Sequence, residues 1–316
     1  MHDELKEVST NKKVFSERIE RIMPWEEPEQ LIRPYYYEGK YGNKIYELEL
    51  MLRIHLLQNL YDLSDMGARN EVIDSRAFSD FCGVESGNQI PDGDTIGKFR
   101  NLLIRNGIHE KFFAMVVKNL TDRGLILKKG TIVDSTIISA PSSTKNKEKK
   151  RDPDAHSVKK GTAWHFGYKA HIGVDKDSGL VHHAEVTSAN VHDVEMTSKL
   201  LTGEENELYG DSGHIGAEKR QDAVMRNKQG KKIRYKQNRK PTHIKKLSAS
   251  GQRRAKKAEH QKSSVRAKAE HVFAVIKGQF RYRKTRYRGL SKQTAKLNML
   301  FAPANLVMAD RRCPAV

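Results

Sequence analysis

Near residue 125 the spacing of apolar residues changes from helical to alternating, and that change constrains the fold more than any other feature of the chain. Up to that point the apolar residues follow helical spacing. In YELELMLRIHLLQNLYDLSD, Leu48, Met51, Leu52, Leu56, Leu57 and Leu60 cover nearly every side of a helix, which predicts a buried one. In PDGDTIGKFRNLLIRNG, Asp94 is the expected N-cap, Ile96, Phe99, Leu102 and Leu103 form the inner face, and Asn106-Gly107 supplies the stop. Phe112, Met115, Val116 and Leu120 mark a third helix. Lys98, Arg100 and Arg105 are expected to face outward, which suits a DNA-reading module or a helical dimerisation domain.

Beyond residue 125 the pattern becomes that of strands. GLILKKGTIVDSTII carries β-branched runs about the Lys-Lys-Gly turn, with a strand over 131–133 that ends at Asp134. Residues 141–162 show no apolar periodicity and are expected to form a mobile basic loop. HFGYKAHIGVDKDSGLVHHAEVTSA reads as two alternating strands about the turn Asp175 to Gly179. A short helix in VHDVEMTSKLL, begun by His192 and Asp193, precedes a strand NELYGD that ends at Asp211. A helix GAEKRQDAVMRN, a strand KKIRY, a second basic loop over 236–262 and the helix SVRAKAEHVFAVIKG follow. The expected class is α/β, a mixed sheet flanked by helices over 126–316, preceded by a helical domain over 1–125 for DNA-end binding or assembly.

Charge narrows the partner. The net charge is +19, yet residues 1–60 hold nine Lys/Arg against eleven Asp/Glu, while residues 231–262 hold thirteen Lys/Arg and the single acid Glu259. A polyanion neutralises such a density, so nucleic acid is the expected partner, with Lys231, Lys232, Arg253 and Arg254 as contacts. Tyr282, Arg283, Arg286, Tyr287 and Arg288 form a basic and aromatic patch suited to a DNA backbone. No apolar run approaches a membrane span, and the N-terminal MHDELKEVSTNKK lacks a secretory apolar region, so a cytoplasmic location is expected. Cys82 and Cys313 form no CxxC and no HExxH occurs, so zinc scaffolds are excluded and any metal is held by oxygen.

Three acids stand out. Asp134 and Asp211 end predicted strands, and Glu270 interrupts a cationic helix face that it shares with Arg266 and Lys277 on a straight-helix projection. Taken singly, each has an ordinary reading: a strand-end cap for either Asp, and a solvated pair with Arg266 for Glu270. Spacings of 77 and 59 residues mean that only a shared fold brings them together. Three carboxylates in basic surroundings suit Mg2+ or Mn2+, and two such ions clamp a phosphodiester for in-line displacement. Trp164 and Tyr168 are candidates to stack an extruded base, with a core role as the ordinary alternative. Asp152, Asp154 and His156 are set aside as ligands because a mobile loop gives a metal no rigid support.

The segments TIVDSTIISAPSSTKNKEKKRDPDAHSVKKG, WHFGYKAHIGVDKDSGLVH, ANVHD, LYGDSG, SSVRAKAEHVFAVIKG and RKTRYRGLSKQTAKLNMLF closely resemble bacterial insertion-sequence transposases of the five family, the InsH-like type with a DDE triad. PYYYEGKYGNK through DSRAFSDFCGVESGNQIPDGDT is similar to that family's helical N-terminal domain. The resemblance implies a ribonuclease-H-like fold in which Asp134, Asp211 and Glu270 are catalytic metal ligands, with Arg266 and Lys277 gripping phosphate. It further implies hydrolysis at terminal inverted repeats to free a 3′ hydroxyl, then attack on target DNA, with a homodimer at synapsis. The chain departs from the family pattern at Ser263 and His214, where Tyr is usual, and at Pro303, which enters an apolar helix at a cost of about 3 kcal/mol. An inactive DNA-binding remnant or regulator of the element is the alternative that needs only the basic surface.

Overall fold

The structure is a computed structural model that describes residues 9–36 and 45–312, so Cys313 and most of PYYYEGKYGNK lie outside the described residues. Packing divides them into two compact units, one up to Phe113 and again from Asn298, the other Ala114–Leu297. This division differs from one drawn at 125, because the end of the chain joins the first unit. No helix among the described residues is long and apolar enough to cross a membrane.

The first unit is helical: α1 (Asn11–Ile22), α2 (Glu26–Ile32), α3 (Leu48–Leu60), α4 (Asp65–Asp74), α5 (Arg76–Cys82), α6 (Gly93–Arg105) and the start of α7 (Ile108–Asp122). As its composition predicts, α3 is buried on almost all sides. Its Leu48, Met51 and Leu52 pack with Ile32, Phe99, Leu103 and Ile108. The cap of α6 is Asp92, whose carboxylate accepts from Thr95 N at 2.6 Å, rather than Asp94. Capping is set by which residue leaves helical geometry, and that lies one turn before the first buried apolar position. Arg100 is not displayed outward: Asp65 binds it through two hydrogen bonds of 3.1 and 2.9 Å.

The second unit holds a six-stranded sheet built from β1 (Gly130–Ser139), β2 (His156–Lys160), β3 (Ala163–Asp175), β4 (Val181–Ser188), β5 (Glu207–Gly210) and β6 (Arg234–Gln237). The long β3 pairs antiparallel with β1, β2 and β4, whereas β1 runs parallel to β5, and β5 parallel to β6. The expected hairpin about Asp175 is present. Its buried carboxylate accepts from the backbone of Leu127, Lys128, Asp177 and Ser178, which closes the turn. A mixed sheet of this order, flanked by helices, is ribonuclease-H-like.

Several elements differ from the sequence reading. β1 continues to Ser139, so Asp134 lies within a strand, because Ile137 and Ile138 keep pairing with β3. Residues 141–162 are not a structureless loop: 156–160 form β2, and the buried Asp152 accepts from Tyr168 Oη at 2.6 Å and Gly289 N at 3.1 Å. Tyr168 is accordingly a core residue. GAEKRQDAVMRN forms only a 3-10 turn at Ala217–Lys219, since it offers no apolar stripe whose burial would offset ordering a helix. The strand expected at KKIRY is shifted to Arg234–Gln237.

The basic segment 236–262 is ordered as the end of β6, the short α9 (Pro241–Lys245) and the first half of α10 (Ala249–Ala274). Its lone acid, Glu259, accepts from Asn238 Nδ2, Arg239 N and Lys262 Nζ, fastening α10 to the end of β6. The apolar flank of α10, Ala269 and Val272, is buried as α10 packs along β1, β3 and β5. The last helix, α11 (Leu290–Asp310), runs through Pro303 without a break, so the proline is accommodated within a mostly buried helix.

Gly167 is where β1 and β2 both meet β3. A Cβ there would stand 2.1 Å from the Ile138 carbonyl oxygen and 2.9 Å from Ala140 N, so backbone has to move. Gly167→Ala is expected to destabilise the protein by on the order of 1–3 kcal/mol, measured by denaturant unfolding.

Candidate active site

The spacing between Asp134 and Asp211 has a structural meaning. β1 and β5 pair in parallel with Gly130 opposite Glu207, Thr131 opposite Leu208 and Ile132 opposite Tyr209. Carrying that register forward sets Asp134 beside Asp211. The same step from β5 to β6 sets Gly210 opposite Gln237, so Asn238 follows next to Asp211, and its N–H donates to Gly210 O at 3.0 Å. Acid, acid and amide therefore stand in a row where three parallel strands reach the same level. Val133 packs into an apolar cluster with Leu200, Leu201, Leu208 and Ile233. Side chains alternate along a strand, so Asp134 points to the opposite face.

Glu270 reaches that place from α10. Asp134, Asp211, Glu270 and Arg266 line one cleft of about 390 Å³, with Ser135, Val158, Lys159, Lys160, Lys169, Asp193 and Phe273 among the other walls. Arg266 Nη2 lies 3.7 Å from Asp134 Oδ2, and its Nη1 donates to Asn238 Oδ1 at 3.3 Å. The i,i+4 pairing of Arg266 with Glu270 is thus replaced by one across to the sheet. Ser263 accepts from Asn238 Nδ2 at 3.3 Å. His214 is buried, its Nδ1 2.9 Å from Thr197 Oγ1 and its Nε2 3.9 Å from Asp211 Oδ1.

Lys277 does something different from the sequence reading. It lies in a π-helical turn, Val275–Gln279, so the straight-helix projection that grouped it with Glu270 ends at Ala274. Its ammonium donates to Thr136 Oγ1 and to Ile137 O, each at 2.7 Å, and so pins this turn to β1. Lys231, Lys232, Arg253, Arg254 and Arg286 are exposed and lie outside the cleft walls. Tyr282 is buried and donates to Gln293 Oε1, which removes it from the basic and aromatic patch.

Sequence reasoning missed a fourth acid. Asp193 begins a short helix, α8 (Asp193–Met196), as expected, but it also faces the cleft. Its Oδ1 accepts from Ser135 Oγ at 2.8 Å and from Lys169 Nζ at 3.1 Å, with His171 Nδ1 at 3.6 Å. Burial works against the charge on Asp193, yet Lys169 and the bond from Ser135 hold its carboxyl below the usual range. Burial keeps His171 neutral, with its pKa at about 4. The signal was Lys169 itself: a lysine inside the apolar run GYKAHIGV needs a partner acid.

Burial also dominates Asp134, pushing its pKa up to about 6 against the lowering effects of Arg266 and the Ser135 N–H bond, with Asp211 and Glu270 adding to the rise. Asp134, Asp211 and Glu270 line the cleft with oxygen donors alone, which in their chemistry suit a hard divalent cation. Among the described residues, no three His, Cys, Asp or Glu side chains are drawn together closely enough to hold a metal ion. The folded-state value of Asp134 lies above the unfolded one, so the folded protein holds the proton more tightly. The stability gained by neutralising Asp134 is present below the unfolded value of 3.8 and lost as pH rises through about 6. Asp134→Asn is therefore expected to stabilise the metal-free protein by roughly 1–3 kcal/mol at pH 7.5. Thermal unfolding across pH checks this, and the gain should shrink below about pH 6 as the wild type protonates.

Two family models match the chain. One, described as Transposase DDE domain, matches residues 126–306, more than half of the chain, and contains every acid of the cleft. The other, described as Transposase domain (DUF772), matches residues 3–102. No solved structure matches the chain significantly. The cleft and its strand register thus lie inside a matched transposase domain, and the chain belongs to the DDE transposase family.

Proposed function

We propose that this protein cuts DNA at the ends of an insertion sequence of the five family, the InsH-like type, and joins the freed 3′ hydroxyl to target DNA. The observation that carries this reading is the register that sets Asp134 beside Asp211, in a cleft that Glu270 enters from α10. Asp134, Asp211 and Glu270 would hold Mg2+ or Mn2+, as two ions. When bound, such ions activate the attacking oxygen and stabilise the leaving one. In the first reaction, water oxygen bonds to phosphorus, the bond from phosphorus to the 3′ oxygen breaks, and that oxygen takes a proton. In the second, the new 3′ hydroxyl attacks a target phosphodiester and displaces the target's own 3′ oxygen.

The chain's own groups supply position and charge. Arg266 balances the partly buried Asp134 and is itself held by Asn238. Lys159 and Lys160 on the cleft wall are placed to receive phosphate, and Lys169 holds Asp193 and the Ser135 hydroxyl in place. Among the described residues, no cysteine and no serine–histidine pair lines the cleft. Lys231, Lys232, Arg253, Arg254 and Arg286 serve as outer contacts to double-stranded DNA, carrying the electrostatic part of binding. Lys277 supports the site through β1, beside any phosphate contact it makes. The helical unit serves end recognition or assembly, synapsis engages a homodimer, and the reaction takes place in the bacterial cytoplasm.

The test is movement in cells of the gene with its native flanking DNA beside a marker, comparing wild type with Asp134→Ala, Asp211→Ala and Glu270→Ala, and a gel shift on the same flanks. Movement in the wild type, abolished by each substitution with DNA binding kept, is the expected result. Binding without movement in all four proteins would reduce the chain to a DNA-binding remnant.

A further inference from the structure

β2 and β3 form a hairpin whose two-residue loop, Gly161 and Thr162, closes between the paired Lys160 and Ala163. Gly161 takes φ of +61°, the conformation that favours glycine at the first position of such a loop. Val158, Lys159 and Lys160 of this hairpin line the carboxylate cleft. Trp164 is paired opposite Lys159, and residues directly opposite in an antiparallel ladder share a face. The indole is 71% exposed, the most exposed large apolar side chain among the described residues. Among them it has no ring, cation or hydrogen-bond partner. Tyr168, four residues further along β3, is fully buried, so Trp164 and Tyr168 have opposite fates although they lie on one strand.

A tryptophan left in water beside a reaction cleft is poorly explained by folding, since burying its ring would add stability. Its surroundings narrow the ligand. Lys159, Lys160 and His156 are exposed on the same hairpin, and Lys160 and Arg283 bring repelling charge to Lys277 nearby. A flat apolar ring set among cations matches a nucleobase carried on a phosphate backbone. An apolar protein surface would gain nothing from these cations.

We propose that Trp164 stacks on a DNA base unstacked next to the phosphate held in the carboxylate cleft, with Lys159 and Lys160 holding the flanking backbone. This rests on the reading of the cleft as a DNA-processing site. It adds a positioning residue that fixes which phosphate enters, because a base stacked on a rigid hairpin sets the distance along the strand to the acids.

The test is a thermodynamic cycle in the full-length protein. The probes are duplexes of the DNA flanking the gene, each with a single position carrying either an unpaired base or an abasic residue, read by fluorescence anisotropy. At one position the wild type is expected to bind the unpaired base on the order of tenfold more tightly than the abasic residue. Trp164→Ala should lose that discrimination while still binding, and Trp164→Phe should keep most of it. A purely structural role would lower both affinities together and leave their ratio unchanged. The proposal is overturned if no position discriminates, if Trp164→Ala discriminates as the wild type does, or if the substitution alters only self-association. Asp211→Ala separates the two readings: it keeps Trp164 and should retain the discrimination while losing strand cleavage. Cleavage by a wild type that does not discriminate would remove the Trp164 proposal alone. Discrimination by a wild type that does not cleave would leave Trp164 standing and remove the catalytic reading.

Discussion

The parallel pairing of β1 with β5 is the constraint on which the site depends. It fixes a register offset between two strands that are remote in sequence, and this offset is what sets Asp134 and Asp211 side by side. Because side chains alternate along a strand, a slip of one residue would turn Asp134 into the apolar cluster around Val133 and raise Val133 into the cleft. The antiparallel pairing with β3 locks the register from the other side, over nine successive residue pairs. Gly167 permits the close approach that this pairing requires.

Around that pair the protein places its cations by distance. Arg266 comes against the partly buried carboxylate of Asp134, while Lys169 is spent on Asp193 of α8, so each of these two cleft acids has a counter-charge. Buried charges of this kind cost several kcal/mol each unless they are paired. Asp134 is only partly compensated, and its raised pKa is the electrostatic mark of a site that gains when further positive charge enters. Lys159 and Lys160 on the hairpin edge are exposed and uncommitted to an acid of the cleft, which leaves them for an incoming polyanion.

The same basic stretch serves two physical ends. Its surface cations, including Arg253 and Arg254, face solvent along α10. Its one acid, Glu259, binds three donors and ties the helix to β6. That fastening aims the far end of α10, about three helical turns on at Glu270, across the strand ends. A segment that reads as a basic loop by composition is therefore an ordered arm, oriented by Glu259 and by the buried Ala255, Ala269 and Val272.

The helical first part, the hairpin about Asp175 and most of the alternating strands were legible in the sequence, because local periodicity carries them, and Asp134, Asp211 and Glu270 each stood out from their immediate neighbours. The sequence did not reveal that β1 continues past Asp134, that 156–160 is a strand, or that Asp193 and Lys169 belong to the cleft. The first and the last depend on contacts between residues more than twenty positions apart, which no short window along the chain can express, while 156–160 pairs locally with β3 but carries no apolar alternation to mark it. Lys277 was misplaced for a related reason: a helix wheel assumes an unbroken α-helix, and the π-helical turn at Val275–Gln279 breaks that assumption. Tertiary structure alone decided which lysines face the acids and which aromatic stays in water, since burial is a property of what the rest of the chain brings alongside.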